Sequence, residues 1–156
     1  MEGARPATAE DVPTLATLAR GAADELGPTR GGAVFLAREA RAEPFEATVG
    51  ADVAADDVIV LAGTIDDTVV GYAVGRTELL RDGSTLGRID DLYVEAGARD
   101  VGVGEALMDQ LLVWFRDRGC AGVDATALPG NRSTKNFFEM SGFTARMLVM
   151  HHRLLP

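Results

Sequence analysis

The chain has 156 residues, 47% of them hydrophobic and 25% charged, which is long enough to bury one sizeable core and is expected to form a single domain over 1–156. Its formal net charge of −9 argues against general nucleic-acid binding, which needs a basic surface, and favours a cationic partner through long-range attraction. No apolar run approaches bilayer length, the opening MEGARPATAE lacks an apolar signal core, and the lone Cys120 excludes an internal disulfide framework. A cytoplasmic protein with no membrane partner is therefore expected.

Arg5-Pro6-Ala7-Thr8 reads as the end of a short first strand, with Thr8 as N-cap and Glu10 and Asp11 in the first turn of a helix reaching about Leu26. Val12, Leu15, Ala16, Ala19, Ala22, Ala23 and Leu26 share one face, and Gly27-Pro28 ends the helix. Gly31-Gly32 precedes a second helical stretch, Ala33 to about Ala42, whereas residues 45–57 carry no decisive pattern. From Val58 the chain turns to strands. VIVLAGTI, a turn at Asp66-Asp67 and TVVGYAVGRTELL make a hairpin, and Arg81-Asp82-Gly83-Ser84 leads into the strand TLGRIDDLYVE. An amphipathic helix follows, with Val103, Leu107, Leu111 and Trp114 at helical spacing and Gly119 as its stop. Val123 to Leu128 reads as a buried strand, Asn131 to Ser141 as a helix and Phe143 to Leu154 as a last strand. Three antiparallel strands followed by strand-helix-strand-helix-strand predict an α/β fold with a mixed sheet, antiparallel first and parallel after the long helix.

The stretch from Ile89 to Gly119 organises the rest. Strand, glycine turn and helix start form an anion cradle, because glycines admit a close backbone approach and the first helical turn offers unpaired N–H groups and a positive dipole end. Spacing separates three readings of Arg99-Asp100-Val101-Gly102-Val103-Gly104. A P-loop needs Gly-Lys-Ser/Thr, and the single lysine, Lys135, lies elsewhere. A dinucleotide fingerprint needs a further glycine where Leu107 stands, and no series of parallel strand-helix-strand units surrounds it. The third pattern, Arg-x-x-Gly-x-Gly opening a helix, is matched completely by Arg99, Gly102 and Gly104.

This segment, Val94-Glu95-Ala96-Gly97-Ala98-Arg99-Asp100-Val101-Gly102-Val103-Gly104, resembles the Val-x-Pro-x-x-Arg-Gly-x-Gly-Ile-Gly of the GNAT superfamily of acyl-CoA N-acyltransferases. Ala96 replaces the proline and Asp100 the first glycine. A second match stands about thirty residues on: Asn131-Arg-Ser-Thr134-Lys-Asn-Phe137-Phe138-Glu-Met-Ser-Gly142-Phe143 is similar to the family's Asn-x-x-Ala-x-x-Phe-Tyr-x-x-x-Gly-Phe. The resemblance implies a three-layer fold, a mixed, mostly antiparallel sheet with helices on both faces. It also implies acetyl-CoA as co-substrate, a small-molecule or peptide amine as acceptor, and direct acetyl transfer without a metal. Arg99, Asp100, Val101, Gly102, Val103, Gly104 and Glu105 would hold the pyrophosphate. Leu92, Tyr93 and Val94 would offer backbone groups to the pantetheine at a kink near the end of their strand, and Asn131, Ser133 and Asn136 would stand beside its arm.

A protonated amine must lose its proton before it attacks, and a carboxylate is a usual acceptor. Asp90-Asp91-Leu-Tyr-Val resembles the Glu-Asp-x-x-Val of diamine acetyltransferases in the same superfamily, which makes Asp90 the first candidate base, Asp91 the second and Glu78 a weaker third. Strand alternation puts Asp90 and Asp91 on opposite faces. Many relatives protonate the departing thiolate with the tyrosine that Phe138 replaces, leaving water, Tyr93, Ser133 or Cys120 as substitutes, or else a degenerate acyl-CoA sensor as the alternative function. His151 and His152 are adjacent, face opposite ways on a strand and have no third histidine, so no metal is expected. Relatives usually carry a terminal hairpin, but only thirteen residues follow Phe143, so a shortened C-terminal strand region and an edge that favours a homodimer are expected.

Overall fold

The computed structural model describes all residues from Met1 to Pro156. In chain order the elements are β1 (Glu2–Pro6), α1 (Val12–Leu26), α2 (Gly32–Arg38), α3 (Phe45–Ala54), β2 (Val58–Ile65), β3 (Thr68–Leu79), β4 (Thr85–Val94), α4 (Val103–Asp117), β5 (Gly122–Ala125) and α5 (Arg132–Met140). The five strands form one sheet in sequence order, antiparallel from β1 to β4 and parallel between β4 and β5. No helix is long and apolar enough to cross a membrane.

Both faces of the sheet are covered. Leu15, Ala16, Leu18 and Ala19 of α1, with Phe45 and Val49 of α3, pack on Val60, Tyr72 and Val74. On the other face Val103, Leu107, Met108, Leu111 and Phe115 of α4, with Phe138 of α5, pack on Leu61, Ala73 and Ile89. This burial explains why β2 and β3 read as continuous apolar runs rather than alternating ones. The α4 helix lies close to the sheet because Gly63, Gly75 and Gly87 present no side chain beneath it. A Cβ on Gly63 would stand 2.6 Å from Val103, one on Gly75 2.8 Å from Phe115, and one on Gly87 2.6 Å from the same ring.

Four local expectations change. The stretch 45–57, undecided from sequence, contains α3. The second helix stops at Arg38 rather than continuing to Ala42, and β5 stops at Ala125 rather than Leu128. The expected last strand from Phe143 to Leu154 does not form: residues 144–156 lie outside every helix and strand, and their backbones bond to no other backbone group. The physical reason is that their apolar side chains find no surface within the chain, leaving Leu148, Met150 and Leu154 each more than 80% exposed.

Candidate functional site

Parallel pairing of β4 and β5 covers only Leu86 to Ile89 against Gly122 to Ala125. Beyond that point β4 continues from Asp90 to Val94 with a partner on the β3 side alone, and the sheet splits. A cleft of 1210 Å³ opens there, bounded by α1, α2, the end of β4, the segment after β5 and the first turns of α4 and α5. The alanine face of α1 that packs on the sheet at its start lines the cleft at its end through Ala22, Ala23 and Leu26.

The α4 end of the cleft presents the N-terminus of that helix. Gly102 caps the helix at φ 101°, and Asp100 sits at φ 65°, a left-handed conformation that aspartate tolerates better than most residues. The first backbone hydrogen bond into the helix is Ala106 N–H to Gly102 O, so the amides of Val103, Gly104 and Glu105 have no partner within it. Asp100 and Val101 are exposed. Arg99 is not free: its Nε donates to the Val94 carbonyl at 2.7 Å, its Nη2 donates to Glu25 at 2.7 Å, and its guanidinium lies 5.4 Å from the Tyr93 ring centre. The Arg99 hydrogen bond holds the Glu25 carboxyl below its ordinary value. Burial first, and then the Glu25 carboxylate, pushes the Tyr93 hydroxyl up to about 12. One backbone acceptor expected to face a ligand, Val94 O, is therefore engaged by Arg99.

The opposite end of the cleft holds a chain of ion pairs. The β3–β4 register passes from Val74 opposite Asp91 to Gly75 opposite Ile89, so Asp90 is an extra residue, a bulge. Strict alternation would separate the two aspartates, but the bulge turns both towards one network, which corrects the opposite-face expectation. Asp91 accepts from Arg41 Nε at 2.9 Å, Arg41 Nη2 at 3.0 Å and the Tyr72 hydroxyl at 2.6 Å. Asp90 accepts from Arg76 and from Arg88, the latter at 2.6 Å. Asp52 of α3 joins the halves, one oxygen accepting from Arg41 at 2.7 Å and the other from Arg76 at 3.0 Å. Asp91 and Arg41 are 9% and 8% exposed at the side chain, whereas Asp90 is 23% exposed. Burial disfavours the Arg41 charge, but the Asp91 and Asp52 carboxylates more than offset it and the group stays protonated. Burial and the facing Asp91 carboxylate push the Tyr72 hydroxyl well above its ordinary value.

The remaining sequence candidates divide. Asn131 caps α5, its side chain accepting from Thr134 N–H at 3.4 Å and from the Ser133 hydroxyl at 3.1 Å. Asn131 and Ser133 line the cleft, as do Leu92, Tyr93, Val94, Gly104 and Glu105; Asn136 is exposed outside it. Val103 points into the core rather than the cleft, 1% exposed. Phe138 is buried among core residues with its ring 5.3 Å from that of Phe143. Cys120 lies away from the cleft beside the core, its thiol pushed up by burial. Glu78 is exposed and pairs with Arg88 at 3.4 Å. Sequence reasoning missed Arg41, Asp52, Arg76, Tyr72 and Glu25. An arginine directly after the apolar run VVGYAVG was the one available signal, because a charge at the end of a buried strand needs a partner.

A split sheet with a free helix N-terminus at its opening meets a further finding, for the profile described as the acetyltransferase (GNAT) family matches residues 32–143. The chain belongs to the GNAT acetyltransferase family. Solved structures share the fold at low identity. A mutant of the BH1408 protein from Bacillus halodurans superposes with a TM-score of 0.83 at 21% identity, covering 97% of this chain and 99% of that one. A ribosomal-protein-alanine N-acetyltransferase from Brucella melitensis biovar Abortus gives a TM-score of 0.71 at 17% identity, with 99% of both chains covered. The enzyme AAC(6')-Iy, solved with a bisubstrate analog, gives 0.74 at 16% identity, covering 100% of this chain and 99% of that one. No curated protein matches the sequence significantly.

Proposed function

We propose that this GNAT protein transfers an acetyl group from acetyl-CoA directly to a primary amine, and that the acceptor is a small cationic amine. The observation that carries the acceptor class is the charge of the cleft wall. Its four arginines, Arg41, Arg76, Arg88 and Arg99, are all engaged by the chain's own carboxylates. Glu43, Asp100 and Glu105 line the same cleft without a basic partner, so a ligand meets net negative charge. The residues present fit a pyrophosphate at α4 through the amides of Val103, Gly104 and Glu105. Acetyl-CoA supplies the acyl group and a thiol leaving group; the residues of this chain supply placement and proton transfer.

Asp90 is the proposed base, because it is the more exposed of the two aspartates and Oδ1 accepts only from Arg88, leaving an acceptor site open. Asp91 is proposed as the anchor that fixes Arg41 and Tyr72. Tyr93 and Ser133, two of the hydroxyl side chains that line the cleft, are proposed as proton donors in place of the hydroxyl that Phe138 lacks. An aminoglycoside ring or a polyamine fits the proposal, and the structure of AAC(6')-Iy in complex with the bisubstrate analog CoA-S-monomethyl-acetylneamine supports this reading. The engagement of both aspartates by arginines and the absence of a hydroxyl at Phe138 favour a second reading, an acyl-CoA sensor. Calorimetric titration with acetyl-CoA followed by a free-thiol assay against an amine panel separates them. Thiol release with polyamines or aminoglycosides is expected; binding with no release on any amine supports the sensor, and no binding at all defeats both.

A further inference from the structure

We propose that Arg99 and Glu25 form a gate across the cleft that a pyrophosphate opens, so that the site selects acyl groups carried on coenzyme A over the same acyl groups on shorter thiol carriers. The inference rests on the acetyl-CoA reading above and concerns how the carrier is told apart. Arg99, on the turn before α4, holds two acceptors that belong to different walls. Its Nε donates to the Val94 carbonyl at the end of β4 and its Nη2 to Glu25 near the end of α1, each at 2.7 Å, and all three residues line the cleft. The side chain therefore reaches from the sheet to α1. It fills a carbonyl on the stretch of β4 that has no β5 partner.

Helix α1 is shaped to receive this side chain. Gly21 and Glu25 are one turn apart and share a face of the helix. A Cβ on Gly21 would stand 3.0 Å from the Tyr93 hydroxyl, so the missing side chain lets the Tyr93 ring reach α1, and the Arg99 guanidinium lies 5.4 Å from the centre of that ring. Ring and carboxylate together hold the guanidinium in place. The hold is weak enough to release: Arg99 and Glu25 are 39% and 44% exposed, and a pair so wet shifts its equilibrium only a few-fold. A pyrophosphate diester brings two negative charges against the single charge of Glu25, and the unpartnered amides of Val103, Gly104 and Glu105 begin the helix that Arg99 precedes. A carrier that ends at the pantetheine is neutral. It offers Arg99 nothing in exchange for two charge-assisted hydrogen bonds and meets the Val94 carbonyl already filled.

Two ligands that differ in the pyrophosphate test the gate. Acetyl-CoA is titrated by calorimetry, and S-acetylpantetheine by ligand-observed NMR, into wild type, Arg99→Ala and Glu25→Gln. Arg99→Ala is expected to move the two affinities in opposite directions, weakening acetyl-CoA about tenfold and strengthening S-acetylpantetheine about threefold or more as the Val94 carbonyl is freed. Glu25→Gln should tighten acetyl-CoA about threefold, because Arg99 leaves a neutral amide more readily than a carboxylate. Circular dichroism checks that both variants, at half-exposed positions, keep the fold. S-acetylpantetheine that binds Arg99→Ala no better than wild type, weakly or not at all, overturns the gate and leaves Arg99 a phosphate ligand alone. Acetyl-CoA binding that Glu25→Gln leaves unchanged or loosens overturns it as well. Failure of the acetyl-CoA reading looks different: acetyl-CoA then binds none of the three proteins, and the gate falls with it.

Discussion

Asp90 and Asp91 are neighbours in sequence with unlike surroundings, and the bulge between β3 and β4 is the cause. Asp91 is buried and holds Arg41 and Tyr72. Removing its charge leaves an arginine that is 8% exposed with only Asp52 for a partner. Breaking one side of a buried pair costs about 3–5 kcal/mol, so Asp91→Asn is expected to lower the urea midpoint strongly. Asp90 holds Arg76 and Arg88, which are 29% and 46% exposed, and such pairs contribute about 1 kcal/mol or less. Asp90→Asn should therefore stay nearly as stable as wild type while losing on the order of 10²-fold in kcat, the usual contribution of a positioned base. The pattern to look for is the split between the two variants. A stable Asp91→Asn with no activity, beside an active Asp90→Asn, would exchange their roles.

At the scale of elements, periodicity and turn chemistry made α1, α4, α5 and the β2–β3–β4 hairpins legible, because each carries either a helical apolar face or a strand run bounded by turn residues. The rest depended on contacts between distant segments. The α3 helix stayed hidden because Thr48, Val49 and Gly50 are weak helix formers and only Phe45 and Val49 become buried. The bulge at Asp90 has no glycine or proline to announce it. Arg41, Asp52 and Asp91 lie up to fifty positions apart, and only the fold brings them together. Where packing is this close, single atoms count. Gly87→Ala places a methyl 2.6 Å from the Phe115 ring, so it should destabilise by about 1–3 kcal/mol, with Phe115→Leu recovering part of the loss in the double variant. The start of α1 offers a pH test. Two Arg5 hydrogen bonds and the Thr8 N–H hold the Asp11 carboxyl at about 2, below its ordinary 3.8. A depressed carboxyl stabilises the fold above the unfolded value, and that stability is lost as pH falls through the folded one. Asp11→Asn should cost about 1–2 kcal/mol at neutral pH, discounted for the half-exposed Arg5, and the gap to wild type should close between about pH 4 and pH 2.

For the whole molecule the deciding quantities are the net charge of −9 and the carboxylates of the cleft wall that have no basic partner. Under the proposed function, the amides at α4 would attract a pyrophosphate over a short range, whereas the acidic field would act on an approaching cationic acceptor at a distance. The two interactions respond differently to salt. Long-range attraction is screened once the Debye length falls to about 10 Å near 0.1 M, while a hydrogen bond inside a cleft is screened far less. With acetyl-CoA held saturating, kcat/KM for a polyamine should fall on the order of tenfold between low salt and a few tenths molar, with kcat nearly constant. A mono-amine of similar size should lose much less over the same range. Equal salt dependence for the two acceptors would mean that the carboxylates of the wall play no part in drawing the substrate in, and the cationic acceptor class would have to be given up.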